Sequence, residues 1–142
     1  TFSKIYGLAG LRIGYGIAKK EFIQYLERCR QPFNVNLLAQ EAAQAALSDT
    51  AFVKKSKKIA REGKEYLYQS REKMGIEYIP SATNFILLNL RQDGLEVFKK
   101  LLQQGVIIRD MRQYGLKDFI RVTIGTEKEN KKFIAALKEV LS

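Results

Sequence analysis

The sequence predicts an α/β protein in which helices cover one face of a small, mostly antiparallel sheet. Two observations predict this fold class. The first half of the chain is dominated by apolar residues at helical spacing, whereas the second half holds short apolar runs typical of strands. In the second half the elements follow the order strand, strand, helix, strand, strand, helix, which is typical of an α/β sandwich.

The first elements are a short strand and a short helix. Residues 11–18 are apolar with closely spaced glycines, which predicts a buried strand. Residues 19–30 carry Phe22, Ile23 and Leu26 on one side, which predicts a helix. Pro32 then disfavours helical backbone at the residue before it, so this helix ends there.

Two longer helices come next. Asn34 or Asn36 caps the first, because an Asn oxygen can accept a bond from a free amide of the opening turn. Its apolar face is rich in alanine and comprises Val35, Leu38, Ala39, Ala42, Ala43, Ala46 and Leu47. The second covers residues 51–74, and Gly75 ends it. Asp49 or Thr50 caps this helix, and Val53, Ala60, Leu67 and Met74 form one of its two apolar rows.

The remaining elements build the sheet and its covering helices. The predicted strands are residues 77–79, 85–90, 106–109 and 119–124. The first covering helix contains Leu95, Phe98, Leu101 and Leu102 and is closed by Gly105. Thr126 and Glu129 have the spacing of a capping box, which predicts the start of the last helix.

Composition excludes several classes of protein. The chain has 142 residues with 46% hydrophobic and 28% charged content, which is typical of a globular protein. No apolar run approaches the roughly 20 residues that cross a membrane. Cys29 is the only cysteine, which favours a cytoplasmic setting, and no metal site is expected. Histidine is absent, which excludes Ser-His and Cys-His nucleophile pairs within this chain.

The net charge of +10 allows two interpretations. A basic chain can bind nucleic acid or an acidic partner. Alternatively, the lysines coat solvated helix faces. The second interpretation is favoured, because Lys54, Lys55, Lys57 and Lys58 fall within one predicted helix and no aromatic–basic interleaving is present. Neither a nucleic-acid nor a membrane partner is therefore predicted.

The opening stretch carries the clearest chemical signal. Lys4 follows Ser3, precedes a turn with Gly7 and Gly10, and is followed by Arg12. A lysine with a lowered pKa can attack an aldehyde as a free amine and form a Schiff base. Hydroxyl and guanidinium groups suit phosphate oxygens, and glycines allow close backbone approach. A ligand with an aldehyde and a phosphate is pyridoxal 5'-phosphate.

This stretch resembles the cofactor-lysine segment of the fold-type I aminotransferases, and within them the histidinol-phosphate aminotransferase family. The resemblance continues in order through residues 31–36, 81–85, 105–109 and 114–126, so it covers nearly the whole chain. It implies a pyridoxal-phosphate-dependent transaminase of histidine biosynthesis. This enzyme exchanges an amino group between L-histidinol phosphate and 2-oxoglutarate, and gives imidazole acetol phosphate and glutamate.

The cofactor site is predicted at three residues. Lys4 is expected to bind the cofactor covalently and to act as the catalytic base and acid. Ser3 and Arg12 are assigned to the cofactor phosphate. For Arg12 the alternative is an exposed structural salt bridge. For Ser3 it is a hydrogen bond within a local turn.

The substrate site is predicted in the second half of the chain. Arg121 lies in an apolar strand, where an unpaired charge is costly, so it should meet an anion or a structural carboxylate. Candidate carboxylates are those of Glu77, Asp110 and Asp118. The resemblance implies that Arg121 and Arg109 clamp the phosphate of the substrate. Asn84 either bonds the ligand or caps a turn.

The resemblance also sets expectations for the whole protein. The chain is expected to be a carboxy-terminal fragment, with residues 1–32 a remnant of the large cofactor-binding domain and residues 33–142 holding linker helices and the small domain. The whole protein is expected to be a cytoplasmic homodimer, and the isolated fragment is expected to be inactive. Alternatives are threonine-phosphate decarboxylase, another class I/II aminotransferase, or a basic non-catalytic binding module.

Overall fold

The computed structural model describes residues 1–142 and contains five helices and four strands. The helices are α1 (Lys20–Cys29), α2 (Leu37–Ser48), α3 (Thr50–Glu72), α4 (Gly94–Gln103) and α5 (Glu127–Leu141). The strands are β1 (Glu77–Ile79), β2 (Phe85–Asn89), β3 (Arg109–Asp110) and β4 (Phe119–Thr123). Short 3₁₀ helices cover Ala9–Leu11 and Arg112–Tyr114.

The chain forms two compact units, Thr1–Lys57 and Lys58–Ser142. The division between them falls within α3. Each unit is defined by its own internal contacts. The predicted domains, 1–32 and 33–142, are instead defined by which domain of a larger protein each segment belongs to. The predicted domain boundary therefore stays a prediction.

In the first unit, the alanine-rich helix forms as predicted. The Asn36 side chain accepts a hydrogen bond from Ala39 N at 2.8 Å, so Asn36 is the cap of α2 and Asn34 is not. Ala39 and Ala43 are buried, but Leu38 and Leu47 at the margins of the predicted face are exposed. Only the centre of that face is packed.

The predicted strand over residues 11–18 is wrong. Leu11 ends a 3₁₀ helix, residues 13–18 have no regular secondary structure, and Tyr15 and Ile17 are 68% and 90% exposed. An extended run becomes a strand only where a neighbouring strand satisfies its backbone groups. Here the one bond across to another part of the loop joins Phe2 N to Ile13 O at 3.3 Å.

The long helix α3 has well-defined ends. The Asp49 side chain accepts from Phe52 N at 2.8 Å and caps its start. At its end, Gly75 adopts φ 65°, and bonds from Gly75 N to Glu72 O and from Ile76 N to Arg71 O form the Schellman pattern. Leu67 from the predicted apolar row is 1% exposed. The four lysines 54, 55, 57 and 58 are exposed, as predicted.

The second unit contains a fully antiparallel sheet with strand order β1-β2-β4-β3. The strand predicted at residues 106–109 is displaced along the chain, because only Arg109 and Asp110 pair with β4. Val106 and Ile108 are nevertheless buried, each 8% exposed. Their apolar character therefore reflects packing into the core and not pairing in the sheet.

One face of the sheet forms the core with the helices. Ile86 and Leu88 of β2 and Ile120 and Val122 of β4 point inward, where Leu67, Leu101 and Leu137 from α3, α4 and α5 join the same cluster. This confirms the predicted α/β fold class with helices on one face. No helix is both long and apolar enough to span a membrane. The opposite face of the sheet carries the odd-numbered residues of β2 and β4, which alternate with the core.

A close contact joins α3 to the start of α5. Asn130 is 3% exposed, and its amide bonds both the N–H and the carbonyl of Gly125 at 3.0 Å. A methyl group on Gly63 would lie 2.7 Å from the Asn130 amide nitrogen. The predicted capping box of Thr126 and Glu129 forms next to this contact and begins α5.

Candidate functional site

The opening loop of the first unit is folded around one buried aromatic residue. Phe2 is 4% exposed, and its ring lies 5.0 Å from that of Tyr6 and 6.0 Å from that of Tyr15. Leu8 N donates to Phe2 O at 3.0 Å, which closes the loop on itself. The residues between these positions are therefore displayed on an ordered turn.

Lys4 lies at the tip of this turn. Its carbonyl accepts from Gly7 N at 2.9 Å, and Gly7 has φ 71°, a conformation that glycine adopts without strain. The Lys4 side chain is exposed and forms no ion pair. No protein carboxylate therefore competes with a ligand for this amine.

Two hydroxyl groups lie next to the lysine. The Thr1 hydroxyl donates to Ser3 Oγ at 3.0 Å and accepts from Ser3 N at 3.1 Å. The local turn bond considered for Ser3 is thus present. Because Ser3 Oγ accepts in this pair, its own proton stays available to a phosphate oxygen. Thr1 was not predicted as a site residue, although a hydroxyl two residues before Ser3 was a readable signal.

Arg12 closes the loop in an unusual conformation. Its backbone is left-handed, with φ 55° and ψ 48°, which is uncommon for a residue other than glycine. Its Nη1 donates to Ala9 O at 2.7 Å, and no carboxylate pairs with it. The salt bridge considered as the alternative for Arg12 is absent, and its remaining donors are free for an anion.

All charged side chains of the opening segment are basic. Residues 1–20 contain Lys4, Arg12, Lys19 and Lys20 and no aspartate or glutamate. A pocket within the same unit is lined by Ile13, Arg30, Phe33 and neighbouring residues, but not by Ser3, Lys4 or Arg12. The predicted cofactor groups therefore stand on an open, cationic surface of this unit.

In the second unit, Arg109 and Arg121 are direct cross-strand partners of β3 and β4. Like charges placed directly opposite each other in a sheet are destabilising. Neither arginine forms an ion pair. The structure therefore places two unpaired guanidinium groups at one register position. That they clamp the phosphate of the substrate, as the resemblance implies, stays a prediction.

The carboxylates considered as structural partners of Arg121 do not pair with it. Glu77 accepts bonds from Arg91 and Asn89, and the Arg91 hydrogen bond holds the pKa of the Glu77 carboxyl below its usual value. Asp110 accepts from Arg112 N at 2.8 Å. Asp118 makes no ion pair with any residue.

Asn84 has a backbone role in the structure. Its carbonyl accepts from Ile124 N at 2.9 Å and extends the pairing of β2 with β4 by one bond. Its side chain is exposed and makes no hydrogen bond with the protein. The turn-capping alternative for the Asn84 side chain is therefore not observed, and that side chain is free for a ligand.

The aromatic residue next to Asn84 was missed by the sequence analysis. The Phe85 ring lies under Arg121, with the guanidinium carbon 4.9 Å from the ring centroid. Strand alternation was the available signal, because positions 85 and 121 both fall on the face opposite the core. Ser3, Lys4 and Arg12 thus lie on one loop, and Arg109, Arg121 and Phe85 lie on one sheet face.

Comparison with known proteins gives the family. The model of aminotransferase class I and II matches residues 1–137. The chain belongs to the aminotransferase class I and II family.

Individual relatives refine the comparison. The chain is 56% identical over 142 residues to the histidinol-phosphate aminotransferase of Moorella thermoacetica. The aligned region covers 100% of this chain and 37% of that protein. The chain therefore spans less than half the length of this curated relative.

Two solved aminotransferase-fold structures are also similar. The histidinol-phosphate aminotransferase of Sinorhizobium meliloti, in complex with pyridoxal-5'-phosphate, has a TM-score of 0.91 and 30% identity, covering 99% of this chain and 39% of that one. The L-threonine-O-3-phosphate decarboxylase of Porphyromonas gingivalis has a TM-score of 0.85 and 34% identity, covering 99% and 45%.

Proposed function

We propose that this aminotransferase chain is part of a longer protein that transfers the amino group of L-histidinol phosphate to 2-oxoglutarate. The products are imidazole acetol phosphate and glutamate, and the reaction belongs to histidine biosynthesis. The proposal concerns a protein of its relatives' length that contains this chain, called the full-length protein below. It is supported by the 56% identity to a histidinol-phosphate aminotransferase.

The residues of the opening loop fit pyridoxal phosphate as cofactor. The loop offers an unpaired lysine amine, two hydroxyl groups and a guanidinium group, and residues 1–20 contain no carboxylate to repel a phosphate. In this proposal Lys4 holds the cofactor covalently, while Ser3 and Arg12 bind its phosphate. The cofactor, when bound, supplies an aldehyde for attachment and an electron sink for the substrate carbanion.

Lys4 has a second task in the proposed reaction. Once the substrate amine has replaced it on the cofactor, the freed Lys4 amine would take a proton from the amino-bearing carbon of the substrate. It would then deliver that proton to the cofactor, acting first as general base and then as general acid. The long, exposed side chain of Lys4 can move between these positions, because no ion pair fixes it. The ordered turn around Phe2 holds its backbone in place.

The Arg109–Arg121 pair is the single observation that carries the choice of a phosphate substrate. A phosphate monoester has a charge of about −1.5 to −2 at neutral pH. It can neutralise both guanidinium groups, which donate to no protein carboxylate. Arginine also binds phosphate bidentately. In the half-reaction with glutamate, the same arginines would bind a carboxylate, with Asn84 as a further donor.

A second candidate function is decarboxylation of threonine phosphate. It is favoured by the 34% identity to the Porphyromonas gingivalis decarboxylase, and the arginine pair suits its phosphate equally well. A basic binding module remains as a candidate of another class, since the net charge is +10. The exposed Lys54, Lys55, Lys57 and Lys58 would carry it.

We also infer a cytoplasmic homodimer without nucleic-acid or membrane partners. The family resemblance supports the dimer, and a single exposed cysteine, Cys29, supports a reducing compartment. On α1, Phe22, Tyr25 and Leu26 are more than 60% exposed. Apolar side chains in such a cluster are typical of a surface that further protein covers.

The test is a paired assay of the full-length protein supplied with pyridoxal phosphate. Glutamate formation from L-histidinol phosphate and 2-oxoglutarate supports the proposal. Release of carbon dioxide from L-threonine O-3-phosphate without glutamate formation would replace it by the decarboxylase. Absence of both, together with polyanion binding that falls steeply with salt, would favour the basic module. The chain of 142 residues alone is expected to give neither product.

A further inference from the structure

The open face of the sheet brings Phe85 and Arg121 together. Arg121 lies opposite Leu87 of β2, and Phe85 lies opposite Thr123 of β4. Phe85 and Arg121 are therefore diagonal neighbours on one face, within reach of an aromatic side chain. The distance of 4.9 Å from the guanidinium carbon to the ring centroid lies in the range of a cation–π contact.

The cation–π contact can fix the position of the Arg121 guanidinium, which no carboxylate holds in place. Arg109 faces it across β3 and β4 and repels it, and no carboxylate pairs with either group. A flexible guanidinium under these conditions would turn away from its neighbour. The ring of Phe85 attracts the cation without neutralising it, so the full positive charge stays available to an anion.

We infer that Phe85 is a positioning residue for the anion site: its ring holds the Arg121 guanidinium beside Arg109, ready for a phosphate group. The inference rests on the proposed function for the identity of the phosphate ester, but not for the positioning itself. In this inference Phe85 affects how tightly the phosphate group binds, whereas proton transfer is carried out by Lys4.

Core packing is the competing role for Phe85. The side chain is half-buried and lies outside the cluster of buried residues that forms the core. Phe119 provides a matched control, because it is also a half-buried phenylalanine on the same sheet face, two residues before Arg121. The Phe119 ring makes no cation–π contact, whereas the Phe85 ring does.

The first test measures binding of inorganic phosphate by the full-length protein, using calorimetry or the Arg side-chain signals in NMR spectra. Phe85→Leu should raise the dissociation constant about three- to tenfold, as expected for loss of one cation–π contact. Phe85→Tyr should restore it, and Phe119→Leu should leave it unchanged. Wild-type affinity in Phe85→Leu, or equal loss in Phe119→Leu, would overturn the inference.

The second test uses steady-state kinetics with L-histidinol phosphate. Phe85→Leu should raise KM by a similar factor with kcat nearly unchanged, because it weakens binding of the substrate and of the transition state alike. A fall in kcat with unchanged KM would contradict a positioning role. If the wild type does not turn over this substrate, the proposed function fails, and the phosphate titration still decides the role of Phe85.

Discussion

At the scale of single residues, the proposed function assigns the chemical step to Lys4 and phosphate binding to Arg109 and Arg121. Lys4 is displayed on a turn with no partner for its amine, while Arg109 and Arg121 face each other across two strands. The cost of placing like charges together is recovered when a dianion binds. The arginine pair is therefore expected to control affinity for the phosphate ester, whereas Lys4 controls the chemical step.

Replacing Arg121 by glutamine tests the anion site. The change removes the charge and most of the donors that we assign to the phosphate. Charge-assisted hydrogen bonds contribute roughly 1.5–3 kcal/mol, so KM for L-histidinol phosphate should rise about 10- to 100-fold. Steady-state kinetics of the full-length protein measure this.

Two further variants give the comparison for Arg121→Gln. Arg109→Gln should raise KM in the same direction. Arg91→Gln is the control, because Arg91 already pairs with Glu77 and carries no free charge for a ligand. An unchanged KM in both Arg109→Gln and Arg121→Gln would show that the phosphate binds elsewhere.

At the scale of secondary-structure elements, the sequence predicts the starts of the helices from local capping residues, but it does not predict which segments pair as strands. The helices capped by Asn36, Asp49 and Thr126 begin where the sequence predicted, because each cap bonds an amide within three residues. The strand at residues 11–18 was predicted wrongly, because a strand depends on partners distant in sequence. The strand predicted at residues 106–109 overlaps β3 only at Arg109, since the apolar character of residues 106–108 reports burial and not backbone pairing.

The contact between α3 and α5 predicts that Gly63 cannot be enlarged. Alanine at this helical position gains about 1 kcal/mol in helix propensity. Its methyl group, however, would lie 2.7 Å from both Asn130 Nδ2 and Ile124 Cγ2. Asn130 cannot move away, because it bonds Gly125 on both sides. Overpacking costs about 1–3 kcal/mol, so Gly63→Ala should lower the free energy of unfolding.

Denaturant unfolding of the full-length protein measures the effect of Gly63→Ala. Gly16→Ala is the matched control, because nothing lies within 4 Å of the position that its methyl group would take. Stability equal to or above that of the wild type in Gly63→Ala would show that the two elements do not pack as closely as described.

The start of α4 predicts a pH-dependent contribution to stability. Asp93 accepts from Leu95 N at 2.9 Å and from Arg112 at 2.5 Å. The Arg112 hydrogen bond holds the pKa of the Asp93 carboxyl below its ordinary value of 3.8. A lowered carboxyl pKa means that the stabilisation is complete above pH 3.8 and is lost as the pH falls through the folded-state value.

Asp93→Asn isolates this contribution, because asparagine keeps a cap for α4 but not the charge. Its Tm should lie below that of the wild type at neutral pH, and the difference should shrink as the pH falls below 3.8. Thermal unfolding at a series of pH values measures it, with Asp118→Asn as a control that breaks no ion pair. A Tm difference that is constant down to strong acid would contradict the assignment.

At the scale of the whole molecule, the fold class and the site residues were predictable to different degrees. The antiparallel sheet with helices on one face followed from the order of elements in the second half of the chain. That Arg109 and Arg121 meet at one register position could not be read from periodicity, because it depends on how β3 pairs with β4. Strand alternation places Phe85 on the same sheet face as Arg121, but their contact also depends on how β2 pairs with β4, and Phe85 was missed.

The net charge of +10 also belongs to this scale. Lys54, Lys55, Lys57 and Lys58 lie on an exposed helix surface, and Lys58 makes only a long ion pair with Glu62 at 3.9 Å. Exposed pairs of this kind contribute little to stability. The charge is therefore expected to attract anionic ligands at low ionic strength.

The most direct test of the account is the visible absorption spectrum of the full-length protein with pyridoxal phosphate, recorded for the wild type, Lys4→Ala and Lys19→Ala. Lys19 is a neighbouring exposed lysine outside the proposed site. The account predicts the absorption band of a lysine-bound cofactor in the wild type and in Lys19→Ala, and its loss in Lys4→Ala. A band that persists in Lys4→Ala, or no band in the wild type, would contradict the assignment of Lys4 as the cofactor lysine.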